Sequence, residues 1–216
     1  MDHRIIIEDA KAWVRDFHEK DATGHDYWHI VRVYNNALML QEKEGGDRFI
    51  VEAAALFHDM IDYKLTDSVD QQIDEIEGFL NDRGIESEII RRIIHAMQAV
   101  SFKGGSNPVA VESLEDAIVQ DADRLDALGA VGIARTFVYG GSKGHDMHQP
   151  DTQVRENMTF EQYSQEDSTM ISHFYEKLLK LKLLMHTDTA KAAAETRHQF
   201  MEMYLEQFYA EWDGKI

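Results

Sequence analysis

The chain of 216 residues has room for one large or two small domains, contains no cysteine, and carries a formal net charge of −18. The lack of cysteine excludes thiol catalysis, disulfide frameworks and cysteine-ligated zinc or iron–sulfur sites, so any metal site must use histidine and carboxylate ligands. The acidic charge argues against nucleic-acid polymers and anionic membranes as partners, although a metal and a few local cations can still attract a small phosphorylated substrate.

The organisation of the chain is simple. Only two prolines occur, and no linker rich in serine, glycine or proline divides the sequence, so we expect a single domain over residues 1–216. The N-terminus lacks the layout of a secretory signal, and no apolar run approaches the roughly 20 residues that span a bilayer. We therefore expect a cytoplasmic protein that binds no membrane.

Helical periodicity dominates nearly every segment longer than ten residues, which predicts an all-α fold, an irregular bundle of about nine helices. In chain order, the predicted helices lie at about residues 4–20, 26–45, 47–60, 68–83, 86–102, 113–128, 129–138, 165–185 and 187–212. The turn-rich, polar segment 140–151 is a candidate mobile flap, and we expect its His145 and His148 to be exposed to solvent.

The third predicted helix ends in a His-Asp dipeptide, His58-Asp59, that we expect to face the bundle interior. Within IVEAAALFHDM, apolar residues at steps of four lead to both side chains. A buried carboxylate is costly unless it is paired or bound to a metal. His29 begins a second inward stripe, continued by Val33 and Ala37, and taken alone it would more often be an ordinary core histidine.

The sixth predicted helix contributes three aspartates at positions 121, 123 and 126. Residues two apart are separated by about 200° around a helix, so Asp121 and Asp123 cannot both face the core. Asp123 lies four residues after Val119, and we choose it as the inward one. Asp121 and Asp126 are expected to be exposed, to support a ligand, or to cap. Two imidazoles and two carboxylates suit Mn²⁺, Fe²⁺, Co²⁺, Ni²⁺ or Zn²⁺.

The resulting pattern, H…HD…D, resembles the HD superfamily of metal-dependent phosphohydrolases. The flanking words GHDYWHIVRV, AALFHDMIDYK and DADRLDALG agree with it. The resemblance covers roughly residues 20–140 and implies an HD-domain fold, on which the C-terminal helices at about 165–213 would pack. It also implies one divalent metal ion, Mn²⁺ in first place and Mg²⁺, Co²⁺, Ni²⁺, Fe²⁺ or Zn²⁺ as alternatives, with the ligands His29, His58, Asp59 and Asp123.

The resemblance leaves the substrate broad. The superfamily includes nucleotidases, nucleoside triphosphate hydrolases, cyclic-nucleotide phosphodiesterases and guanosine-tetraphosphate hydrolases. The short stand-alone members whose motifs resemble those of this chain are similar to nucleotide pyrophosphohydrolases. It implies a phosphohydrolase that acts on a nucleotide or related small phosphorylated substrate, with metal-activated water attacking phosphorus. Two alternatives stay open: a non-catalytic nucleotide-binding or regulatory HD domain, and a di-iron HD oxygenase, for which His95 is the only further histidine between the dipeptide and Asp123.

Other side chains could serve the chemistry. Asp59 and Asp62 are the candidate catalytic residues, because related nucleotidases keep a catalytic acid at the last position of H-D-x-x-acid; a helix-end surface role is the alternative for Asp62. The candidates for binding substrate phosphates, each with an ordinary structural alternative, are Lys64, Arg32, His95 and Lys103. Arg124 could pair with a ligand carboxylate or reach a phosphate, and a structural role is favoured.

Apolar residues of the terminal helices suggest that the chain associates with itself. The run from Leu178 to Met185 would crowd most of the circumference of one helix, which usually means burial on several sides. A homodimer is therefore a possible partner arrangement, with burial inside the chain as the alternative.

Overall fold

The computed structural model of the protein describes residues 2–19, 26–62, 65–66, 68–100, 109–152, 154–155 and 168–216. Within these ranges every regular element is helical, nine α-helices and two 3₁₀ helices, which confirms the predicted all-α class and the number of helices. The chain divides into two compact units, Met1–Asp123 and Arg124–Ile216, and each is described by itself. The single domain stays a prediction.

The first unit is a bundle with helix α3 at its centre. Its helices are α1 (His3–His18), α2 (Tyr27–Glu44), α3 (Arg48–Phe57), α4 (Val69–Asn81), α5 (Ser87–Val100) and α6 (Leu114–Asp126), with a 3₁₀ helix at His58–Ile61 directly after α3. Helix α3 packs against α1, α2 and α5. Helix α6 crosses into the second unit with its last three residues.

The central position of α3 follows from its sequence, RFIVEAAALF. Eight of its ten residues are buried, because the helix is apolar nearly all round and has no polar face to offer to water. It begins where the Asp47 carboxylate accepts hydrogen bonds from the backbone amides of Phe49 and Ile50, which would otherwise be unpaired. The α-helix was predicted to reach about Met60, but it ends at Phe57, and a 3₁₀ turn carries His58 and Asp59.

The second unit contains α7 (Gly129–Lys143), α8 (Met170–Glu176), a 3₁₀ helix (Leu178–Leu184) and α9 (Asp188–Trp212). Helix α9 packs against α7 and the 3₁₀ helix. Helix α7 is longer than predicted and ends at Gly144, whose φ of 75° reverses the chain, so the first residues of the predicted flap are helical. The single helix predicted over 165–185 is interrupted at Lys177, and the leucine run that follows is a 3₁₀ helix.

The predicted absence of a membrane span agrees with one finding. Among the described residues, no helix combines the length and the apolar character needed to cross a membrane.

Candidate metal centre

Helix α2 positions the first histidine of the site. Asp26 caps this helix, and its carboxylate accepts a hydrogen bond of 2.9 Å from the backbone amide of His29, which fixes the first turn. His29 is only 1% exposed and lies on the same stripe as the buried Val33 and Ala37. The imidazole of His29 therefore faces the interior of the first unit, as predicted.

The 3₁₀ turn after α3 positions the dipeptide. His58 and Asp59 are both buried. The Nδ1 atom of His58 lies 2.9 Å from the carbonyl oxygen of Ala55 and must donate to it, since a carbonyl only accepts. The Nε2 atom of His58 is then left with its lone pair, which is the form of imidazole that binds a metal.

The imidazoles and carboxylates converge. His29 Nε2 lies 3.3 Å from Asp59 Oδ2, and His58 Nε2 lies 3.4 Å from Asp59 Oδ1. From helix α6, Asp123 Oδ1 lies 3.4 Å from His29 Nε2 and 3.9 Å from His58 Nε2. His29, His58 and Asp59 therefore form a compact cluster in the first unit, and Asp123 of α6 lies against its two imidazoles. All four residues were singled out from the sequence.

The donor set fits a divalent cation. One ligand atom each from His29, His58 and Asp59 lies within 4.8 Å of the others. Atoms that share one ion at about 2.1 Å lie roughly 3.0–3.4 Å apart, close to the separations observed here. The Nε2 atom of His58 is buried and has no hydrogen-bond partner among the described residues, which is costly unless something else is bound there. Oxygen and imidazole ligands suit the first-row divalent metals.

The environment of the three aspartates of α6 differs from the prediction in one respect. Asp123 lies against the imidazoles of the cluster with its side chain 30% exposed. Asp121 and Asp126 are buried, which rules out exposure and leaves support of a ligand or capping among the roles expected for them. The reason is that α6 is buried on nearly all sides, so its wheel has no solvent face at these positions. Asp126 pairs at 2.8 Å with Arg135, a partner on α7 that no pattern within α6 could indicate.

Asp62 and Arg32 are the two candidate groups that follow the proposed ligands closely in sequence. Asp62 ends the 3₁₀ helix, is half-buried, and donates its backbone N–H to the carbonyl of Asp59 at 3.1 Å. Arg32 is half-buried on α2, three residues after His29. Lys64 and Lys103 lie outside the described residues. The roles of all four residues in the chemistry stay predictions.

His95 is held by a carboxylate that sequence reasoning did not single out. Its Nδ1 atom lies 3.0 Å from Asp116 Oδ2, and its Nε2 atom lies 3.7 Å from the exposed Glu112. Asp116 also accepts the backbone N–H of Ser113, while the Ser113 hydroxyl accepts the backbone N–H of Asp116. This reciprocal arrangement is a capping box, and the letters S-x-x-D before an apolar helix could have revealed it.

Two expectations in the second unit can be compared with the structure. Arg124 donates to the carbonyl of Leu184 and lies 3.3 Å from the Nε2 atom of His186, in line with the favoured structural role. His145 and His148 were predicted to be exposed to solvent, but both are half-buried. His148 is covered because its ring packs against aromatic residues of α9, a contact distant in sequence.

The fold and the site define a class: an all-helical protein whose buried histidines and carboxylates, supplied by three elements, form a candidate centre for a divalent metal. The HD domain profile matches residues 27–128, which include all four converging side chains. The chain belongs to the HD domain family. HD domains bind divalent metals, and solved structures with this fold include hydrolases of the HD superfamily.

Several relatives resemble the chain over nearly its whole length. The uncharacterized protein YpgQ of Bacillus subtilis is 41% identical over 208 residues, 96% of this chain and 94% of that protein. The crystal structure of Bacillus subtilis YpgQ in complex with ADP has 39% identity and a TM-score of 0.76, over 95% of this chain and 97% of that chain. An HD-superfamily hydrolase of Bacillus thuringiensis has 42% identity and a TM-score of 0.78, over 98% of each chain.

Proposed function

We propose that this HD-superfamily protein is a divalent-metal-dependent phosphohydrolase that acts on a nucleotide. The observation that carries the proposal is the convergence of His29, His58 and Asp59, with Asp123 Oδ1 at 3.4 Å from His29 Nε2 and 3.9 Å from His58 Nε2. A buried, convergent set of imidazoles and carboxylates is costly without a bound cation, which supports a metal at this place.

In this proposal the four side chains hold the metal. The Ala55 carbonyl fixes the tautomer of His58, so the lone pair of its Nε2 atom faces the carboxylates before any ion arrives. Asp59 and Asp123 carry negative charge, which favours the binding of a divalent cation. A bound divalent ion supplies Lewis acidity toward a phosphoryl oxygen and lowers the pKa of coordinated water. We favour Mn²⁺, with Mg²⁺, Co²⁺, Ni²⁺, Fe²⁺ and Zn²⁺ as alternatives.

Asp62 is the proposed general acid–base group. It follows the cluster directly, and the hydrogen bond from its backbone N–H to the Asp59 carbonyl ties it to that ligand. Its half-buried side chain is accessible to a substrate, whereas the 6% exposure of Asp59 suits a ligand. We propose that Asp62 accepts a proton from the attacking water or gives one to the leaving group.

The substrate class rests on charge and on a relative. ADP is bound in the crystal structure of the YpgQ relative, which supports a nucleotide as the ligand of this chain as well. Arg32, Lys64 and Lys103 are the proposed partners of the phosphates. His95 is proposed to contact the substrate through Nε2, because the buried carboxylate of Asp116 already holds its Nδ1 atom.

A screen of nucleotides tests the proposal. The metal-free protein is incubated with nucleoside mono-, di- and triphosphates, with and without Mn²⁺, and released phosphate and pyrophosphate are measured. We expect release from at least one nucleotide that depends on Mn²⁺ and is absent in His58→Ala. His198→Ala is the matched control, since His198 is 5% exposed and His58 is 4% exposed, and it should retain the activity. Bound metal without release from any nucleotide would favour the regulatory alternative.

A further inference from the structure

The second unit contains a cavity that the proposed function does not use. Its volume is about 270 Å³, below the roughly 300–1,000 Å³ of sites for drug-sized ligands, so it suits a small molecule. The walls come from the loop after α7, from α8 and from the end of α9. Four of the lining residues are aromatic: His148, Tyr175, Tyr209 and Trp212.

The aromatic rings that line the cavity pack against each other at different angles. The His148 ring centre lies 4.9 Å from that of Trp212 and 5.4 Å from that of Tyr209, and both pairs are nearly perpendicular at 78°. Trp212 is backed by Phe208, with the two rings stacked at 5.7 Å. The rings of His148, Tyr209 and Trp212 therefore line the same small cavity, and contacts between these rings hold them in place.

Tyr209 offers a neutral aromatic ring to the cavity. Burial raises the pKa of Tyr209 far above its usual range, and its hydrogen bond with Tyr175 raises that pKa further. The face of a neutral phenol ring is electron-rich and attracts cations.

The charge of the described lining favours a cation over an anion. Among the described residues that line the cavity, none is lysine or arginine, and Asp213 is the charged member. Asp213 pairs with Lys215 at 2.7 Å, but both side chains are exposed, and such surface pairs contribute little, so a cationic ligand can compete for the carboxylate.

We propose that this cavity binds a small organic cation with an alkylated ammonium head. Alkylated ammonium groups are attracted by the faces of tryptophan and tyrosine within about 6 Å, and their methyl groups fill apolar walls. Asp213 supplies the counter-charge at the rim, and the net charge of −18 raises the local concentration of cations. The hydroxyls of Ser172 and Thr152, which also line the cavity, can accept or donate to a polar tail.

An isosteric pair of ligands tests the charge requirement. Choline and tetramethylammonium are titrated into the full-length protein at moderate salt, beside 3,3-dimethyl-1-butanol, which replaces the quaternary nitrogen of choline by carbon. Binding is followed by broadening of the ligand methyl signals in NMR. We expect saturable binding of both cations and binding of the neutral alcohol that is at least roughly tenfold weaker. No binding of either cation, or equal binding of the alcohol, would overturn the proposal.

Two variants of α9 locate the site. Trp212→Leu should weaken the binding of choline roughly threefold to thirtyfold, the range that loss of one cation–π partner allows. Phe200→Leu is the control, because Phe200 is 45% exposed and Trp212 is 46% exposed on the same helix, and Phe200 does not line the cavity. Equal weakening in both variants would contradict the assignment. Since binding is measured without nucleotide, failure here and failure of the phosphohydrolase proposal are separate outcomes.

Discussion

His58 is prepared for its role by one backbone carbonyl. The Ala55 carbonyl accepts from its Nδ1 atom, so the imidazole is restricted to the tautomer with a free lone pair at Nε2. Both partners are buried, which removes competition from water. A ligand set prepared in this way should bind an ion without a large rearrangement, and its affinity should depend on every one of the four side chains.

The aspartate of α6 can be assigned by a pair of matched variants. Asp123→Asn removes a carboxylate whose Oδ1 atom lies 3.4 Å from His29 Nε2. We expect metal affinity to fall by more than the roughly 10- to 100-fold that follows loss of a supporting hydrogen bond. Asp121→Asn, a change at a fully buried position two residues earlier, should keep the metal, because its side chain projects about 200° away. Metal analysis of both purified variants decides, and loss in Asp121→Asn alone would mean that the assignment is wrong.

A variant of Asp62 can distinguish a role in catalysis from a role in metal binding. If it transfers a proton without ligating the metal, Asp62→Asn should retain full metal occupancy and lose on the order of 10² to 10⁴ in turnover, while KM changes much less. Steady-state kinetics and metal content of the variant test this together. A turnover near that of the wild type, with full occupancy, would assign Asp62 to a surface role.

At the scale of elements, Glu115 connects three helices of the first unit. From the first turn of α6, its Oε1 atom accepts the backbone N–H of Asp47 at the start of α3 and lies 3.1 Å from Arg92 of α5. Burial alone would raise the pKa of Glu115, but these hydrogen bonds hold it below its usual 4.5. The folded-state pKa is thus lower than the unfolded one. The stabilisation of the fold by the ionised Glu115 carboxylate is fully present above about pH 4.5 and is lost as the pH falls through the folded-state pKa.

Glu115→Gln should therefore lower the free energy of unfolding at pH 7 by about 1–3 kcal/mol, and the difference from wild type should shrink in acid. Urea titrations at pH 7 and at pH 4 or below measure this. Glu88→Gln changes an exposed partner of Arg91 and should have little effect at either pH. A difference for Glu115→Gln that is the same at all pH values would contradict the linkage.

An element could be predicted from the sequence where a pattern within that element determines its structure. The stripe through His29 and the apolar run before His58 each indicate a buried face within one helix, so the burial of these two histidines could be predicted from the sequence. The burial of Asp121 could not, because it results from elements that surround α6 on several sides. The break at Lys177 was missed for a related reason: a run of leucines has strong helix propensity, but a 3₁₀ turn can bury Leu178 and Leu181, three apart, on one face.

At the scale of the whole molecule, part of the apolar surface of the terminal segment remains uncovered. In the second unit, Leu178 and Leu181 are buried within the chain, but other large apolar side chains are exposed, among them Leu183, Leu184 and Met203. Burial inside the chain therefore accounts for only part of the leucine run. We expect these side chains to contribute to a homodimer.

Light scattering measures the dimer directly. At micromolar concentration the mass should be about twice the 24.9 kDa of the chain, and Leu183→Glu, at a residue that is 79% exposed, should shift it toward the monomer. A wild-type mass near 24.9 kDa would end the idea.

We propose that one ion held by His29, His58, Asp59 and Asp123 is required for hydrolysis. Mn²⁺ is titrated into the metal-free protein while bound metal and the initial rate of phosphate or pyrophosphate release are measured in the same samples, with the best nucleotide of the screen. We predict that binding and rate rise together and saturate at one ion per chain, and that His58→Ala shows neither. Hydrolysis at full rate in the metal-free protein, or in His58→Ala, would contradict the account.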